Sequence, residues 1–372
     1  MTAKHSQEVL HNVFSHFATY GDAFEIVPYG SGHINDTYRV STNQAGTVVR
    51  YILQRINTSI FKDPVMLMDN IRRTTAHLRA KLSAAKDADA SRKTLTLVPT
   101  KDGDDYLALD SENVWRLYLF IERASTFDVI ETPDQAYQAA RSFAGFQNLL
   151  ADLPAPRLGE SIPKFHDIRS RLALLDEAAA ADVRGRLKDV AAEMEFVNER
   201  RAEMTRLLEL NEAGEIPERI THNDTKINNV MLDDVSGKGI CIIDLDTVMP
   251  GLALYDFGDM IRTATAAAAE DETDLSKVES RMDMFEALVR GYASEAHFLT
   301  QAEKDNLAFC GRVITFTIGV RFLTDYLAGD VYFKTGYEGH NLVRARAQMK
   351  LLTEVEAKME EMYAFVEGLL NK

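Results

Sequence analysis

The sequence predicts an α+β protein with a small β-rich lobe at the N-terminus and a larger, mainly helical lobe at the C-terminus. Strand-like alternation with turn signals dominates residues 24–121, whereas helical periodicity dominates from 123 onwards. One strand-rich segment, 219–249, interrupts the helical part. A chain of 372 residues is long enough for about two domains, and we place them at 1–122 and 123–372.

The composition is that of a folded, acidic protein. Hydrophobic residues make up 46% of the chain and charged residues 27%, which is ordinary for a globular protein. The 42 basic and 57 acidic side chains leave a formal charge of −15, which disfavours non-specific binding to nucleic acid. Only Cys241 and Cys310 occur, and no apolar run is long enough to span a membrane. We therefore expect a cytoplasmic monomer without nucleic-acid or membrane partners.

The β-rich lobe begins with an amphipathic helix and continues with strands. Two β-rich stretches, 36–41 and 47–55, flank a turn that contains Gly46 and predict a hairpin. Asp63 followed by Pro64 is typical of a helix start, and this helix reaches about residue 85. The remaining strands of this lobe are predicted at 94–99, 105–109 and 114–121.

The helical lobe opens with a helix whose start is marked in the sequence. Thr132, Pro133 and Gln135 have the spacing of a capping box with proline at the first helical position, and they predict a helix to about residue 150. Periodicity predicts the other helices at 167–213, 273–295, 301–328 and 340–370, with a short buried helix at 263–269.

The strand-rich segment 219–249 contains the side chains that are candidates for catalysis and metal binding. Two apolar runs, 230–232 and 240–243, flank a turn and predict a hairpin. We expect this hairpin to bring Asp224 and Asn229 beside Asp244 and Asp246. Carboxylates about 4 Å apart repel by about 4 kcal/mol at an effective dielectric constant near 20. Such a cluster therefore indicates a bound cation, and oxygen ligands alone favour Mg²⁺.

The spacing of these residues matches a kinase catalytic loop followed by a metal-binding aspartate. In that pattern Asp224 accepts the proton of the acceptor hydroxyl, while Asn229 and Asp244 hold Mg²⁺ on the nucleotide phosphates. Asp246 is either a second metal ligand or an anchor of the loop, and His222 is expected to hold the loop from within. The alternative is a polar hairpin whose Asp and Asn residues only cap turns.

A second kinase-like string lies further along the chain. Asp256, Phe257 and Gly258 spell the metal-binding motif of protein kinases, but Asp256 is 32 positions beyond Asp224 rather than about 20. We therefore assign the metal to Asp244. We expect Asp256 to brace the catalytic loop by accepting hydrogen bonds from its backbone N–H groups.

A glycine-rich loop lies between the first two predicted strands. Gly30, Ser31 and Gly32 would let backbone N–H groups approach phosphates closely, as in kinase glycine-rich loops. His33 and Asn35 are unusually polar for a turn, and each is a candidate to face the acceptor or the phosphates. A plain hairpin turn is the alternative explanation of the same residues.

Together these motifs resemble the aminoglycoside phosphotransferase/choline kinase family, small-molecule kinases with a protein-kinase-like two-lobe fold. The resemblance spans almost the whole chain, and it is most detailed for family members that phosphorylate N-acetylhexosamines. The segments that carry it are 30–38, 51–61, 115–122, 221–233, 242–251, 256–262 and 321–333. It implies transfer of phosphate from ATP, with Mg²⁺, to the anomeric hydroxyl of N-acetylglucosamine or N-acetylgalactosamine. Composition and spacing alone imply only a Mg-dependent phosphotransferase acting on a small hydroxyl compound.

The resemblance also assigns residues outside the catalytic loop. The backbone of Phe120, Ile121 and Glu122, at the junction of the predicted lobes, would bind adenine; otherwise this segment is simply a buried strand end. Arg321 and Tyr332 would line the sugar pocket, with the guanidinium donating hydrogen bonds and the ring stacking on the pyranose. The alternative for Arg321 is an ion pair with Asp325, four residues on.

One position departs from the kinase pattern. Gln54 stands where kinases place the lysine that binds the phosphates, so Arg55 or another cation would have to replace it. This departure keeps a nucleotide-binding pseudokinase open as an alternative. A second alternative keeps the fold and the chemistry but changes the acceptor to choline, a homoserine-like amino acid or another sugar.

Overall fold

A computed structural model describes residues 5–30, 32 and 34–370. The described chain forms two compact units, each assembled from three stretches of sequence. The first unit contains the described residues of Met1–Asp128, Asp152–Pro163 and Val230–Met249, and the second contains those of Val129–Ala151, Lys164–Asn229 and Pro250–Lys372.

Helices account for most of the second unit and two elements of the first. In chain order they are α1 (Gln7–Ser15), α2 (Pro64–Ala84), α3 (Pro133–Leu150), α4 (Ile168–Ala181), α5 (Ala191–Arg200), α6 (Arg206–Glu212), α7 (Ala253–Thr265), α8 (Met282–Ala293), α9 (Gln301–Asp305), α10 (Phe309–Ala328), α11 (His340–Ala357) and α12 (Met359–Leu370). Over the described ranges, none of these helices combines the length and the apolar character that crossing a bilayer requires.

The strands belong mainly to the first unit. They are β1 (Asp22–Pro28), β2 (Asp36–Gln44), β3 (Thr47–Arg55), β4 (Leu107–Ala108), β5 (Val114–Leu119), β6 (Ala124–Ser125), β7 (Arg219–Thr221), β8 (Val230–Asp233), β9 (Gly239–Ile242) and β10 (Met249–Gly251). Two single 3₁₀ turns, Ile227–Asn229 and Leu245–Thr247, follow β7 and β9 respectively. β7 forms a two-stranded sheet with β10. From Pro250 in β10 onwards the described chain belongs to the second unit.

The first unit is built around an antiparallel sheet with the strand order β1-β2-β3-β5-β4. The β2–β3 turn contains Ala45 and Gly46, both at positive φ, as a tight hairpin requires. Alternate strand residues such as Tyr38, Val40 and Leu53 are buried against the apolar face of α1. The predicted hairpin and the predicted N-terminal helix are therefore confirmed.

A second, smaller sheet of the first unit contains the hairpin predicted in the strand-rich segment. β8 and β9 pair antiparallel, and β6 pairs with the other edge of β8. Met231 and Cys241 pack with Ile121 and Ala124 in a small apolar core. The hairpin prediction is confirmed, and the end of β9 delivers the chain directly to Asp244.

The second unit is a helical assembly in which α3 packs along α8, and α10 packs along α7 and α11. The capping box predicted at Thr132 and Gln135 is present with both of its hydrogen bonds. Gly258 allows α7 to approach α10 closely, because a Cβ at this position would lie 2.5 Å from the carbonyl oxygen of Cys310. This close approach holds the helix that carries Asp256 in place.

The strand predicted at 94–99 is wrong. Leu97 forms only an isolated bridge with Tyr118. Pro99 lacks the N–H that a continuing ladder requires, so the segment follows β5 through scattered backbone hydrogen bonds. The neighbouring prediction at 105–109 shrinks to the two residues of β4.

Two helix predictions also need correction. The helix predicted over 167–213 is divided into α4, α5 and α6, because Asp182 adopts a left-handed conformation and its carboxylate caps the N–H groups of Arg186 and Leu187. The alanine-rich stretch 263–269 is helical only to Thr265, after which Ala266 bridges to Ser280.

Alanine substitutions at two helical glycines, one on α3 and one on α8, are expected to change stability in opposite directions. A Cβ at Gly291 would collide with the backbone carbonyl of Tyr137, whereas a Cβ at Gly145 would meet nothing nearer than 4.0 Å. We expect Gly291→Ala to lower the free energy of unfolding by about 1–3 kcal/mol or more. Gly145→Ala should raise it by up to about 1 kcal/mol, because alanine has the better helix propensity. Urea denaturation of both variants checks the prediction, and an unchanged midpoint for Gly291→Ala would contradict the close helix contact.

Candidate active site

Asp224 lies on the short loop that follows β7 in the second unit. The side-chain amide of Asn229 donates hydrogen bonds to the backbone carbonyl of Asp224, at 2.8 Å, and to its carboxylate Oδ2, at 3.1 Å. Lys226 Nζ lies 2.9 Å from the other carboxylate oxygen, Oδ1. The loop therefore holds the carboxylate of Asp224 between an amide group and an ammonium group.

This environment keeps Asp224 ionised. Burial alone would raise the pKa of Asp224, but the attraction and hydrogen bond of Lys226, aided by His222 and Arg262, outweigh burial and lower that pKa. The same attraction raises the pKa of Lys226. An ionised carboxylate of low basicity is suited to orient a hydroxyl group and to accept its proton late in a reaction.

Asp256, on α7, fixes the backbone of the loop. Its carboxylate accepts hydrogen bonds from the backbone N–H of His222 at 2.8 Å, from the N–H of Asn223 at 2.6 Å and from the side chain of Gln147 at 2.6 Å. Burial raises the pKa of Asp256 to about 6, while these donors favour the ionised form. Asn223 has a φ of 67°, so the chain turns sharply just before Asp224. This geometry is the one proposed from the sequence for Asp256.

His222 is completely buried at the base of the loop. The edges of its ring contact Phe143 and Phe146 of α3, with centroid distances of 5.3 and 6.1 Å. Its Nδ1 also accepts a hydrogen bond from the backbone N–H of Asp224, at 3.3 Å. These contacts agree with a structural role for His222.

A second brace on α7 escaped the sequence interpretation. Asp259 accepts a hydrogen bond from the backbone N–H of Thr225 at 3.0 Å, and Arg262 donates to the other oxygen of Asp259 at 2.9 Å. Asp256 and Asp259 are three residues apart on one helix, so their side chains share a face. That spacing in the string DFGDMIR is a signal that could have identified both residues.

Arg321 of α10 does not pair with Asp325. The Asp325 carboxylate instead accepts backbone hydrogen bonds from the segment after α10, including the N–H of Tyr332 at 2.8 Å. The Arg321 guanidinium lies over the rings of Phe165, Tyr332 and Phe333, at 4.9, 5.7 and 5.4 Å from their centroids. The Tyr332 side chain is half exposed. Arg321 is thus an arginine framed by aromatic rings, and it forms no ion pair with a described residue.

His166 and Arg171 lie next to this arginine and were not predicted. His166 Nε2 is 2.9 Å from the carbonyl oxygen of Asn223, so Nε2 carries the proton and Nδ1 is an acceptor. That buried Nδ1 has no partner among the described residues. Burial lowers the pKa of His166 to about 4. Burial and the nearby charge of Arg321 lower the pKa of Arg171 to about 10.

In the first unit, the glycine-rich loop connects β1 and β2. Gly30 has a φ of 78°, and added Cβ atoms at Gly30 or Gly32 would meet nothing within 4 Å, so the backbone is open to a ligand. Ser31 and His33 lie outside the described residues. The Asn35 side chain donates to Asp246 at 2.6 Å and accepts from the backbone N–H of Asn57 at 3.0 Å.

Gln54 of β3 stands opposite Arg116 of β5, and the two side chains are hydrogen-bonded. Arg116 Nε donates to Gln54 Oε1 at 3.0 Å, and Gln54 Nε2 donates to Thr37 Oγ1 at 3.0 Å. Arg116 also forms a buried ion pair with Asp246. Arg55, the cation suggested by the sequence, is held by Asp36 at 2.8 Å. The sequence interpretation missed Arg116, although a charged residue inside the apolar run VWRLYL was a visible signal.

The junction segment predicted to bind adenine has a free backbone edge. Phe120 N–H donates to the Arg50 carbonyl at 3.0 Å, and Arg92 donates to the carbonyl of Glu122 at 3.0 Å. The backbone groups of Ile121 and the N–H of Glu122 form no hydrogen bonds with described residues. Arg50 lies over the Phe120 ring at 5.0 Å and forms an ion pair with the Glu122 carboxylate.

Asp244 precedes the 3₁₀ turn that follows β9 and Asp246 lies within that turn, but the surroundings of the two carboxylates differ. Asp244 is exposed and left-handed, with φ 57° and ψ 60°. Asp246 is 2% exposed, and each of its carboxylate oxygens accepts a hydrogen bond, one from Arg116 and one from Asn35. Within the described ranges, no group of three or more His, Cys, Asp or Glu side chains is arranged to hold a metal ion. A site with fewer protein oxygens plus phosphate oxygens needs no such group.

A family model for the phosphotransferase enzyme family, the aminoglycoside phosphotransferases, matches residues 25–293, which is more than half of the chain. The chain belongs to this family. Membership confirms, at the family level, the resemblance carried by segments such as 221–233.

Solved structures similar to this phosphotransferase include a microcompartment-associated aminopropanol kinase, with 16% identity over 96% of this chain and 99% of that chain and a TM-score of 0.60. A spectinomycin phosphotransferase in complex with ADP and spectinomycin has 15% identity over 97% and 100%, with a TM-score of 0.52. A choline kinase from Cryptosporidium parvum Iowa II has 12% identity over 99% and 100%, with a TM-score of 0.55. The predicted fold class, protein-kinase-like with a β-rich and a helical lobe, is confirmed.

Proposed function

We propose that this phosphotransferase transfers the γ-phosphoryl group of ATP to the anomeric hydroxyl of an N-acetylhexosamine and releases the sugar 1-phosphate and ADP. The observation that carries the proposal is the state of Asp224, an ionised carboxylate held by Lys226 and Asn229 on a braced loop. An anomeric hydroxyl is more acidic than an ordinary alcohol, so a weakly basic carboxylate is sufficient. Family membership supports phosphoryl transfer to a small hydroxyl compound. The choice of acceptor rests on the resemblance of the motif segments 30–38 and 321–333 to family members that phosphorylate N-acetylhexosamines.

Phosphoryl transfer demands alignment and charge neutralisation rather than covalent chemistry from the protein. In the proposed reaction Asp224 orients the hydroxyl towards phosphorus and receives its proton as the bond to the leaving ADP breaks. Lys226 keeps Asp224 ionised and holds its carboxylate in one orientation. Asp256 and Asp259 hold the loop backbone so that these two side chains keep their places.

We assign Mg²⁺ binding to Asn229 and Asp244. Each residue by itself has an oxygen of the kind this ion binds. The Asn229 amide nitrogen donates to Asp224 and leaves the amide oxygen to coordinate, and Asp244 is an exposed aspartate. When bound, Mg²⁺ neutralises charge on the phosphate oxygens. For Asp246 we favour the anchor role over the metal-ligand role, since both of its oxygens already accept hydrogen bonds.

The nucleotide is proposed to bind the first unit. Gly30, Ser31 and Gly32 would face its phosphates, and the free backbone groups of Ile121 and Glu122 would meet adenine while Phe120 lies beside it. The ADP complex of the similar spectinomycin phosphotransferase supports a nucleotide co-substrate. Gln54 reaches the phosphates only through its neighbours, because both ends of its amide are hydrogen-bonded within the sheet.

The acceptor is proposed to bind near Arg321 and Tyr332, with His33 and Asn35 as further candidates from the glycine-rich loop. Both ends of the Asn35 side chain are engaged, which favours positioning of that loop over direct sugar contact. His166 Nδ1 adds a buried acceptor that a sugar hydroxyl or amide N–H would satisfy.

Of the alternative acceptors, choline is disfavoured by charge. Arg171 and Arg321 form no ion pairs with described residues, and each opposes the binding of a cation beside it. A quaternary ammonium group favours an aromatic cage without such cations. A homoserine-like amino acid and other sugars remain alternatives, as does a nucleotide-binding pseudokinase.

A panel of acceptors with ATP and Mg²⁺ tests the function. N-acetylglucosamine, N-acetylgalactosamine, glucose, galactose, choline and homoserine are incubated separately, and products are identified by phosphorus NMR. We expect a phosphomonoester signal coupled to the anomeric proton with an N-acetylhexosamine, and its loss on chelation of Mg²⁺. A phosphorylated product from choline or homoserine alone would identify the protein as a kinase of that acceptor. ATP binding without any product would favour the pseudokinase.

Replacing Arg321 is expected to weaken acceptor binding selectively. Arg321→Met keeps a long apolar side chain among the aromatic rings but removes the charged donors. A hydrogen bond from a charged group contributes about 1.5–3 kcal/mol, so the KM for the sugar should rise about tenfold or more while the KM for ATP stays within about twofold. Arg290→Met, at an exposed position of α8, is the matched control. An equal rise in both KM values would contradict a specific acceptor contact.

A further inference from the structure

A single arginine is buried in the middle of the sheet of the first unit. Arg116 on β5 is 1% exposed, and its neighbours along the strand, Trp115 and Leu117, are core residues. Removing a charge from water is costly unless it is paired, so an arginine at this position requires specific partners. Its guanidinium has three: the carboxylate of Asp246, the amide oxygen of Gln54 and the face of the Tyr118 ring.

Asp246 extends this contact to two other segments. One carboxylate oxygen accepts from Arg116, and the other accepts from the side chain of Asn35 at 2.6 Å. Asn35 belongs to the segment that completes the glycine-rich loop, and it is tied in turn to the N–H of Asn57. Asp246 itself lies in the 3₁₀ turn that begins after Asp244. One carboxylate therefore joins β5, the glycine-rich loop and the turn that presents Asp244.

The charges of this cluster are also connected. Burial opposes the charge on Arg116, but the attraction of Asp246, together with that of Asp244, outweighs burial and raises the pKa of Arg116. Arg116 therefore stays charged beside the carboxylate of Asp246. A buried ion pair can often be replaced by apolar residues without loss of stability, so its presence points to a positional role.

We propose that Arg116 and Asp246 are positioning residues for the nucleotide triphosphate, and that Arg116 supplies from β5 the fixed positive charge that kinases supply with a lysine on β3. The proposal rests on the proposed kinase function. In it, Arg116 does not contact the phosphates. It holds Asp246, and Asp246 holds the glycine-rich loop at Asn35 and the exposed carboxylate of Asp244 in one relative arrangement.

The register of the sheet explains why glutamine is the residue at position 54. Gln54 and Arg116 are direct cross-strand partners, so their Cβ atoms are about 5 Å apart. A lysine at position 54 would oppose a second cation at this distance. Glutamine instead accepts from Arg116 and donates to Thr37. The positive charge that kinases place on β3 is thus found on the neighbouring strand, β5, where Arg116 faces Gln54.

The first test removes the pair without leaving an unpaired charge. Arg116→Met combined with Asp246→Leu should fold, because the apolar replacements fill the same buried space. Trp115 is the only tryptophan of the chain and is buried in the sheet core, so an unchanged emission maximum verifies the fold. We expect the dissociation constant for ADP, measured by calorimetry, to rise about tenfold or more as preorganisation is lost. The kcat should fall about 10²-fold, as expected for misplaced groups.

A second variant moves the charge instead of deleting it. Gln54→Lys combined with Arg116→Gln exchanges donor and acceptor across the strand pair and returns a cation to β3. Arg116→Gln alone should weaken ADP binding. We expect the double variant to recover at least about a third of that loss, measured as the logarithm of the dissociation constant. A merely structural role for Arg116 predicts no difference in ADP affinity between these two variants.

The control is an ion pair of the same sheet whose side-chain hydrogen bonds, within the described part of the chain, include none to Arg116, Asp246 or Asn35. Arg39→Met combined with Glu25→Leu removes the 2.9 Å pair between β2 and β1, and it should leave ADP affinity and kcat unchanged. ADP binding by the Arg116/Asp246 double variant equal to that of the wild type would overturn the inference, as would a wild type that does not bind ADP. A wild type that binds ADP but phosphorylates none of the acceptors overturns the proposed function and leaves the binding test of this pair intact.

Discussion

Asp224→Asn is expected to reduce kcat at least about 10²-fold, the lower range of general-base contributions, with folding unchanged. Asparagine has the same shape, and its oxygen can still accept a hydrogen bond from Asn229, so the loop keeps its conformation. It cannot take the proton of the acceptor hydroxyl, and Lys226 loses the charge with which it pairs at 2.9 Å. Steady-state kinetics with ATP and an N-acetylhexosamine measure the loss, and the ADP dissociation constant should change little.

The matched control is Asp305→Asn, which changes an exposed aspartate of α9 that accepts a hydrogen bond from Gln301. This variant should turn over at the wild-type rate. Near-normal turnover by Asp224→Asn would refute the assignment of the base and would leave orientation by other groups as the source of catalysis. A change in KM with kcat unaltered would have the same meaning, because a base acts on the chemical step.

Asp244→Asn is expected to reduce kcat about 10³-fold at a fixed concentration of Mg²⁺. A metal ion contributes several kcal/mol of charge stabilisation in the transition state, and a neutral amide holds Mg²⁺ far less strongly than a carboxylate does. Asparagine is the informative replacement, because Asp244 has a φ of 57° and asparagine tolerates that conformation, whereas alanine would add backbone strain. Raising Mg²⁺ should recover part of the rate.

Asp182→Asn provides the control for the backbone, since Asp182 is also left-handed, with a φ of 34°. Its carboxylate caps two backbone N–H groups after α4, so the change should affect stability slightly and leave the Mg²⁺ dependence of the rate alone. If Asp244→Asn retained wild-type kcat at every Mg²⁺ concentration, Asp244 would not be a metal ligand.

Local elements of this protein are readable from the sequence because their signals are short-ranged. Asp63 caps α2 and Thr132 caps α3, and in both cases the residue that accepts the helix N–H lies within three residues of its partner. The β2–β3 and β8–β9 hairpins are likewise set by a turn and two apolar runs. The same holds inside the loop after β7, where Asn229 lies five positions after Asp224.

Predictions failed where they rested on periodicity alone. The stretch 94–99 has the alternation of a strand, but Pro99 lacks the N–H that a continuing ladder requires, and only an isolated bridge to β5 forms. The helix predicted across 182 is broken there because the Asp182 carboxylate caps the following turn instead of continuing the helix. Periodicity reports the buried face of a segment and not the partner to which its backbone groups bond.

The sequence by itself determined the fold class and the loop that carries Asp224 and Asn229, because spacing along one chain fixes these relations. The assignment of the metal to Asp244 rather than Asp256 is a prediction from the same spacing. Only the tertiary structure decided that Arg116 pairs with Asp246, 130 residues away, that Arg321 is framed by aromatic rings rather than bound to Asp325, and that His166 meets the catalytic loop. Each of these contacts depends on strand register or helix packing, and both are settled by burial of the whole surface rather than by neighbouring residues.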